Sequence, residues 1–295
     1  MNFEAVVCMR RMVLIAAILS CALLPARAED LDSGLREAVH SVPVDDTGAS
    51  IVVTSFRPRG AGPFQWIVLS HGTGSAQANR AIGRYRRRHI AREWVSRGYA
   101  VLVPVRRGYG ASGGDLFDDS YGGCARADFH RAGAGAALDL LATVDWARGQ
   151  ADLDRTRWLL VGQSAGGFAS IYAASRKPEG LLAVLAFAPG RGGDPQRRPG
   201  EPCASERMAE LFASIGGQIA VPVLWFYAEN DEFFGPRVQK LWFESFRQAG
   251  GRGELIVAAP FRQRGHGLFA QPAGAPIWTA AVERFFQSQR LAASF

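Results

Sequence analysis

Arg157-Trp158-Leu159-Leu160-Val161-Gly162-Gln163-Ser164-Ala165-Gly166-Gly167 is the stretch on which the reading of the fold turns. An apolar strand runs into Gly-x-Ser-x-Gly, and the small-residue run Phe168-Ala169-Ser170-Ile171-Tyr172-Ala173-Ala174-Ser175 then leads away as a helix. A serine hydroxyl attacks a carbonyl only when it stands clear of its own backbone. A sharp strand-to-helix turn provides that clearance, and glycines two positions to either side remove the clash between strand and helix. Ser164 is therefore the candidate nucleophile. The bare pentapeptide also occurs as an ordinary glycine-rich turn; the strand before it and the helix after it are what make it specific here.

On such a turn the acid and the base follow the serine in that order. Val221-Pro222-Val223-Leu224-Trp225-Phe226-Tyr227-Ala228 reads as a buried strand, and Glu229-Asn230-Asp231-Glu232 lies at its C-terminal end, the edge of a parallel sheet where sites assemble. Asp231 is the preferred acid, because the third residue of a turn after a strand points back across the sheet edge. Glu229 and Glu232 stand as substitutes, and a solvated acidic turn is the bland alternative. Of the five histidines, His40, His71, His89 and His130 precede the serine, and His266 alone follows the acid. It sits in Arg264-Gly265-His266-Gly267 after the apparent strand 254–259, with flanking glycines that free the imidazole to reach the serine as general base.

Acyl transfer also needs donors for an oxyanion. One is the backbone amide after the nucleophile, Ala165; the other comes from the loop after an earlier strand. That strand is Trp66–Ser70 and its loop His71-Gly72-Thr73-Gly74. Thr73 is the preferred second donor and Gly74 the next, while His71 reads as a structural loop residue.

Together, Gly162-Gln163-Ser164-Ala165-Gly166-Gly167, His71-Gly72-Thr73-Gly74, Arg106-Arg107-Gly108-Tyr109-Gly110-Ala111-Ser112-Gly113, Tyr227-Ala228-Glu229-Asn230-Asp231 and Gly265-His266-Gly267 resemble the α/β-hydrolase superfamily, in particular its dienelactone-hydrolase-like branch. The resemblance runs from about Ile51 to about Gln287. It implies an α/β fold: a mostly parallel central sheet with helices on both faces, the earliest strands pairing antiparallel. It also implies that Tyr109 borders the pocket and touches substrate, and that the insert 190–218 forms a short lid. Two departures narrow it. Dienelactone hydrolases carry a cysteine where this chain has Ser164, so their substrate is not carried over. Prolyl-oligopeptidase-type peptidases usually carry a tyrosine where this chain has Ala165, and no propeller precedes the region.

Gly108-x-Gly110-x-x-Gly113 formally matches a dinucleotide fingerprint, but it runs into the loop-like segment 114–123 rather than opening a helix, so no nucleotide cofactor is expected. No metal-ligand spacing and no nucleic-acid motif is present. The cluster Arg84, Arg86, Arg87, Arg88 and Arg92 is interleaved with Ile82, Tyr85, Ile90, Trp94 and Val95, which reads as the solvated face of a helix over 79–97.

The 295 residues carry 48% hydrophobic content, enough for one large core. The first 28 residues are set apart. Arg10-Arg11, the apolar run Met12–Leu24 and Ala26-Arg27-Ala28 describe a signal peptide cleaved before Glu29, with 29–295 a single domain. The run is too short for a membrane span, which needs about twenty residues, and Cys21 fits a lipoprotein site poorly. The formal charge of +7 falls by two when three arginines and Glu4 leave with the signal. Of the four cysteines, Cys124 and Cys203 remain, and in an exported protein they are expected as a disulfide tying the loop before the long helix to the insert near 190–210.

Further strands are expected near 50–56, 99–104 and 181–187, and helices at 126–149, 165–176, 236–249 and 276–290, with 205–215 a short helix and 29–45 a tail. The expectation is a periplasmic or secreted serine hydrolase acting on a small-molecule ester. A peptidase or amidase with the same machinery, and a binding protein without catalysis, are the alternatives; loss of a triad member would mark the last, and no member is missing.

Overall fold

Alternation of buried apolar runs with helical stretches builds a doubly covered sheet. The computed structural model describes residues 30–45, 47–73, 83–116 and 121–291. The signal peptide expected over 1–28 and Gly74 lie outside the described residues. The chain divides into Met1–Asp30, of which only Asp30 is described, and Leu31–Phe295, to which everything below belongs.

The strands are β1 Ala38–Val44, β2 Ala49–Phe56, β3 Phe64–Ser70, β4 Ala100–Val105, β5 Leu153–Gln163, β6 Leu181–Phe187, β7 Val223–Ala228 and β8 Gly253–Ala258. They form one eight-stranded sheet in the order β1-β2-β4-β3-β5-β6-β7-β8. β1 to β2 and β2 to β4 are antiparallel, and every other pairing is parallel. Side chains on successive strand residues point to opposite faces. Trp66 and Val68 of β3 accordingly enter one buried cluster, and Ile67 and Leu69 enter the other. Over the first face pack the helices α2 Phe129–Arg148, α3 Ala165–Ala174, α4 Ser205–Gly216 and α5 Pro236–Gln248; over the second pack α1 Arg88–Val95 and α6 Ala275–Ser288.

The strand order places the site. The chain leaves β3 toward β4 on one side and leaves β5 toward β6 on the other, so connections diverge at the carboxyl ends of β3 and β5 and open a crevice there. Ser70 pairs with Gly162 in register. His71-Gly72-Thr73 and Gln163-Ser164 therefore leave the sheet side by side.

Two expectations are corrected. Residues 29–45 are not a tail throughout: Ser33–Leu35 form a 3-10 turn and Ala38–Val44 an edge strand with Val42 and Val44 buried. Pro43 hid this run, since proline is tolerated in a sheet only at an edge. The basic cluster is not one solvated face either. Arg84 and Arg86 precede α1 and both bind the buried carboxylate of Glu37, while Arg92 meets Asp32 at 3.1 Å. Within the 190–218 insert, α4 buries Met208, Leu211, Phe212 and Ile215 in the core. Cys124 and Cys203 do form a disulfide, across a Cα separation of 5.3 Å.

Glu37 joins the β1 lead-in to the segment before α1. Burial pushes its carboxyl upward, but hydrogen bonds from Arg86, from the Asp32 amide at 2.7 Å and from Arg84 outweigh that and hold it below its ordinary 4.5. A lowered native value gives stability that is complete above pH 4.5 and lost as pH falls through the native value. Glu37→Gln should therefore be less stable than the native chain at pH 7 in denaturant titrations, with the gap closing below pH 4.5. A gap that stays constant down to pH 3 or so would refute this linkage.

Candidate active site

The centre of the site is a turn that few residues adopt. Ser164 has φ 55° and ψ −123°, a left-handed conformation that costs about 1–3 kcal/mol and persists only where the surroundings impose it. Here the packing around the turn imposes it. A side chain at Gly162 would collide with the Gly166 carbonyl, and one at Gly166 with the carbonyls of Ser70 and His71. Strand β5, helix α3 and the end of β3 thus approach backbone to backbone, and Ser164 is forced outward.

Helix α3 begins at Ala165, and its first three amides, those of Ala165, Gly166 and Gly167, precede the first intrahelical hydrogen bond, from the Phe168 amide to the Ser164 carbonyl at 3.0 Å. The β3 loop passes over this end: a Cβ placed on Gly72 would lie 3.2 Å from Ser164 Cβ. Thr73 is exposed and, with Ser164 and His266, lines one cleft of about 980 Å³. Ala165 itself is buried beneath it.

On the far side, the loop after β7 carries Asp231. Its carboxylate is buried and accepts from the amides of Phe233 at 2.8 Å and Phe234 at 3.0 Å. Both oxygens also lie 3.0 Å from His266 Nδ1. Proton donation from Nδ1 to a carboxylate leaves Nε2 as the acceptor nitrogen. The histidine is fixed from several directions: its amide donates to Glu232 Oε2 at 3.1 Å, its carbonyl accepts from Gln163 Nε2 at 2.9 Å, and its ring packs 4.2 Å from that of Phe233. Of the three competing carboxylates, Asp231 is thus the one at the ring. Glu232 holds the backbone of the histidine instead, and Glu229 is exposed.

Asn230 was not singled out by sequence, yet it splices the two loops. Its Oδ1 accepts from the Phe261 amide at 2.8 Å, its Nδ2 donates to the Arg262 carbonyl at 3.0 Å, and its own carbonyl accepts from the Gly265 amide at 3.1 Å. The Tyr227 hydroxyl donates to the Pro189 carbonyl at 2.7 Å, anchoring the start of the 190–204 wall to β7. Burial, and then the charge of Asp231, push that phenol well above its ordinary value, so it remains a donor.

Tyr109 is placed differently from expectation. It is fully buried, edge-on to His71 at 4.9 Å and beneath the Arg106 guanidinium, and does not line the cleft. The Gly108–Gly113 segment folds into turns whose amides close on one another and on Ser50, which draws Tyr109 inward. Residues the sequence reading passed over line the cleft instead, among them Arg191, Phe233 and Arg264, with the Cys124–Cys203 bridge in its wall. Their loops have no periodic pattern to mark them. Among the described residues no group of three His, Cys, Asp or Glu is placed to hold a metal, and no helix is long and apolar enough to cross a membrane.

His71 holds the β3 loop rather than facing the cleft. Its Nδ1 lies 2.7 Å from the Gly72 carbonyl and its Nε2 accepts from the Arg106 amide at 3.1 Å, so the ring is neutral, with the proton on Nδ1. The buried Arg106 guanidinium donates to the His71 carbonyl at 2.6 Å and to Ser70 Oγ at 2.9 Å. Hydrogen bonds from a charged group contribute about 1.5–3 kcal/mol each. Arg106→Leu should accordingly lower the unfolding free energy by about 3 kcal/mol or more, measured by denaturant titration. A loss under about 1 kcal/mol would show that Arg106 does not support the loop.

A family model of the X-Pro dipeptidyl-peptidase (S15 family) matches residues 47–197, from β2 through Ser164 and past β6. No curated protein matches the sequence. Among solved structures, an esterase of Pyrococcus furiosus superposes with a TM-score of 0.59 at 16% identity, over 87% of this chain and 91% of that one. Est1E of Butyrivibrio proteoclasticus, solved with ferulic acid bound, gives 0.57 at 18% identity over 85% and 98%. The acylaminoacyl peptidase of Pyrococcus horikoshii gives 0.61 at 14% identity over 85% of this chain but 41% of that one. Identities this low speak for fold alone, and the fold is that of the α/β-hydrolases. The family match carries more, since it spans half of the chain with the Ser164 turn inside it: the chain belongs to the X-Pro dipeptidyl-peptidase (S15) family of hydrolases.

Proposed function

We propose that the chain is a serine hydrolase of carboxylic esters, with Ser164 as nucleophile, His266 as general base and Asp231 as its orienting acid. The carrying observation is the meeting of three features at one cleft: the outward-forced Ser164, the Nδ1 contact between His266 and Asp231, and the first-turn amides of α3 beside the β3 loop.

The Ser164 hydroxyl gives its proton to His266 Nε2 as Oγ adds to the ester carbonyl, and the imidazolium is stabilised by Asp231. The amides of Ala165 and Thr73 receive the oxyanion. The bond from carbonyl carbon to alkoxy oxygen then breaks, and the imidazolium protonates the departing alcohol. Water repeats the cycle on the acyl-enzyme: its proton passes to His266, its oxygen adds to the carbonyl, and the bond to Oγ breaks with the proton returned to Ser164. No cofactor enters these steps.

The 190–204 segment serves as a small lid, since Gly190–Arg198 border the cleft. Export is part of the same reading. The Cys124–Cys203 bridge belongs in an oxidising compartment, which supports a signal peptide over 1–28 and a periplasmic or secreted location. Peptide or amide cleavage is the second reading, favoured by the match of residues 47–197 to a peptidase family.

A fluorophosphonate should label the native chain at Ser164 and fail to label Ser164→Ala, and the serine reading falls if labelling persists in the variant. Nitrophenyl esters assayed against X-Pro nitroanilides separate the two readings: turnover of the anilides at or above the ester rate would make the chain a peptidase.

Asp231→Asn should keep the fold and lose about ten-thousandfold in turnover, the scale seen when a triad aspartate is neutralised. Glu232→Gln, whose side chain bonds the His266 amide and not the ring, should lose far less. Equal losses in the two variants would remove Asp231 from the triad.

A further inference from the structure

We infer that the cleft selects acyl substrates that carry a carboxylate away from the scissile carbonyl, with Arg198 and Arg264 as the groups that recognise it. The inference rests on the hydrolase reading above and adds the substrate class.

Among the described residues that line the cleft, arginines outnumber carboxylates. Its described lining holds Arg191, Arg197, Arg198 and Arg264 against two carboxylates, Asp194 and Glu232. Both carboxylates are already committed within the protein. Asp194 faces Arg197 at 3.8 Å and accepts from its amide at 3.3 Å, and Glu232 accepts from the His266 amide at 3.1 Å.

Elsewhere, arginines meet carboxylates: Arg57 meets Asp152, Arg107 meets Asp139, Arg148 meets Glu179 and Arg237 meets Glu201. Arg198 and Arg264 do not. The Arg198 guanidinium lies against Cys124 Sγ, at 3.7 and 3.8 Å, and the Arg264 guanidinium has no ion-pair partner among the described residues. Both are exposed at the cleft. Arg264 stands two residues before His266, on a loop whose backbone is pinned through Asn230 and Glu232. The backbone that carries it is therefore held by the same contacts that hold the proposed base.

A planar guanidinium matches a carboxylate in a two-point fork, and a cleft lined by one sign of charge concentrates the opposite ion. Phe233 and Tyr121 supply apolar wall for the chain between carboxylate and ester. A free ammonium group at the same end meets repulsion.

The test uses the full chain and three nitrophenyl esters of equal acyl length, ending in a carboxylate, a methyl group or an ammonium group. The carboxylate ester should show the highest kcat/KM and the ammonium ester the lowest. The preference should shrink as salt rises from about 20 mM to about 500 mM, where screening is strong. Arg264→Gln and Arg198→Gln should each lower the ratio of carboxylate-ester to methyl-ester kcat/KM by up to about fivefold, the scale of one exposed ion pair, and Arg264→Lys should recover part of it. Equal kcat/KM for the three esters, or a ratio untouched by both glutamine variants, overturns the inference while leaving the hydrolase reading intact. Failure to cleave any of the three would overturn both.

Discussion

The close backbone approach of β5, α3 and the end of β3 is the constraint from which the rest of the site follows. Side chains at Gly162 and Gly166 would separate the three elements, and with separation the turn at Ser164 could relax from its left-handed φ of 55°. A strained residue is held only by surroundings that over-determine it. Here the surroundings are a parallel register between β3 and β5 that runs to Ser70 and Gly162, and a helix whose first turn sits on the carbonyls of that same β3 end. The strain and the crevice share one cause, because the strand order diverges at this pair of strands.

The other half of the site is held by hydrogen bonds where the first is held by packing. Asp231 and His266 belong to different loops, and neither loop has a ladder to fix it at that point. Asn230, Glu232 and Gln163 perform that work by bonding the backbone on either side of the imidazole. The residues around Asp231 thus divide the labour: one carboxylate meets the ring while its neighbours position the chain that carries it. A like division occurs under the β3 loop, where His71 and Arg106 are buried supports and Thr73 is left at the surface of the cleft.

Most of the sheet was legible because its strands are continuous apolar runs bounded by glycine and proline, a pattern that buried parallel strands impose. Ser164, Asp231 and His266 stood out because chain order and position at strand ends can be read without coordinates. What escaped was of two kinds. β1 escaped because Pro43 interrupts an edge strand whose only signal is a weak alternation. Tyr109 and the arginines before α1 were misjudged for another reason: whether a residue in a loop points inward depends on partners distant in sequence. Glu37 lies 49 residues from Arg86, and no local pattern joins them.

The cleft wall shows how such distant partners are secured when secondary structure is sparse. Between β6 and α4 the chain has a single bridge, Asp194 with Arg198, and otherwise runs as loop. Binding residues gather on such loops only when something rigid holds them in place. Tyr227 holds one end of this one and the Cys124–Cys203 bridge the other, across a sequence separation of 79. Closing a loop of that length removes about 4.5 kcal/mol of unfolded-chain entropy in the simplest account. The same bond fixes the wall against α2, the helix that follows Cys124. The cross-link therefore sits where hydrogen-bonded structure is thinnest and where the shape of the cleft depends on it most.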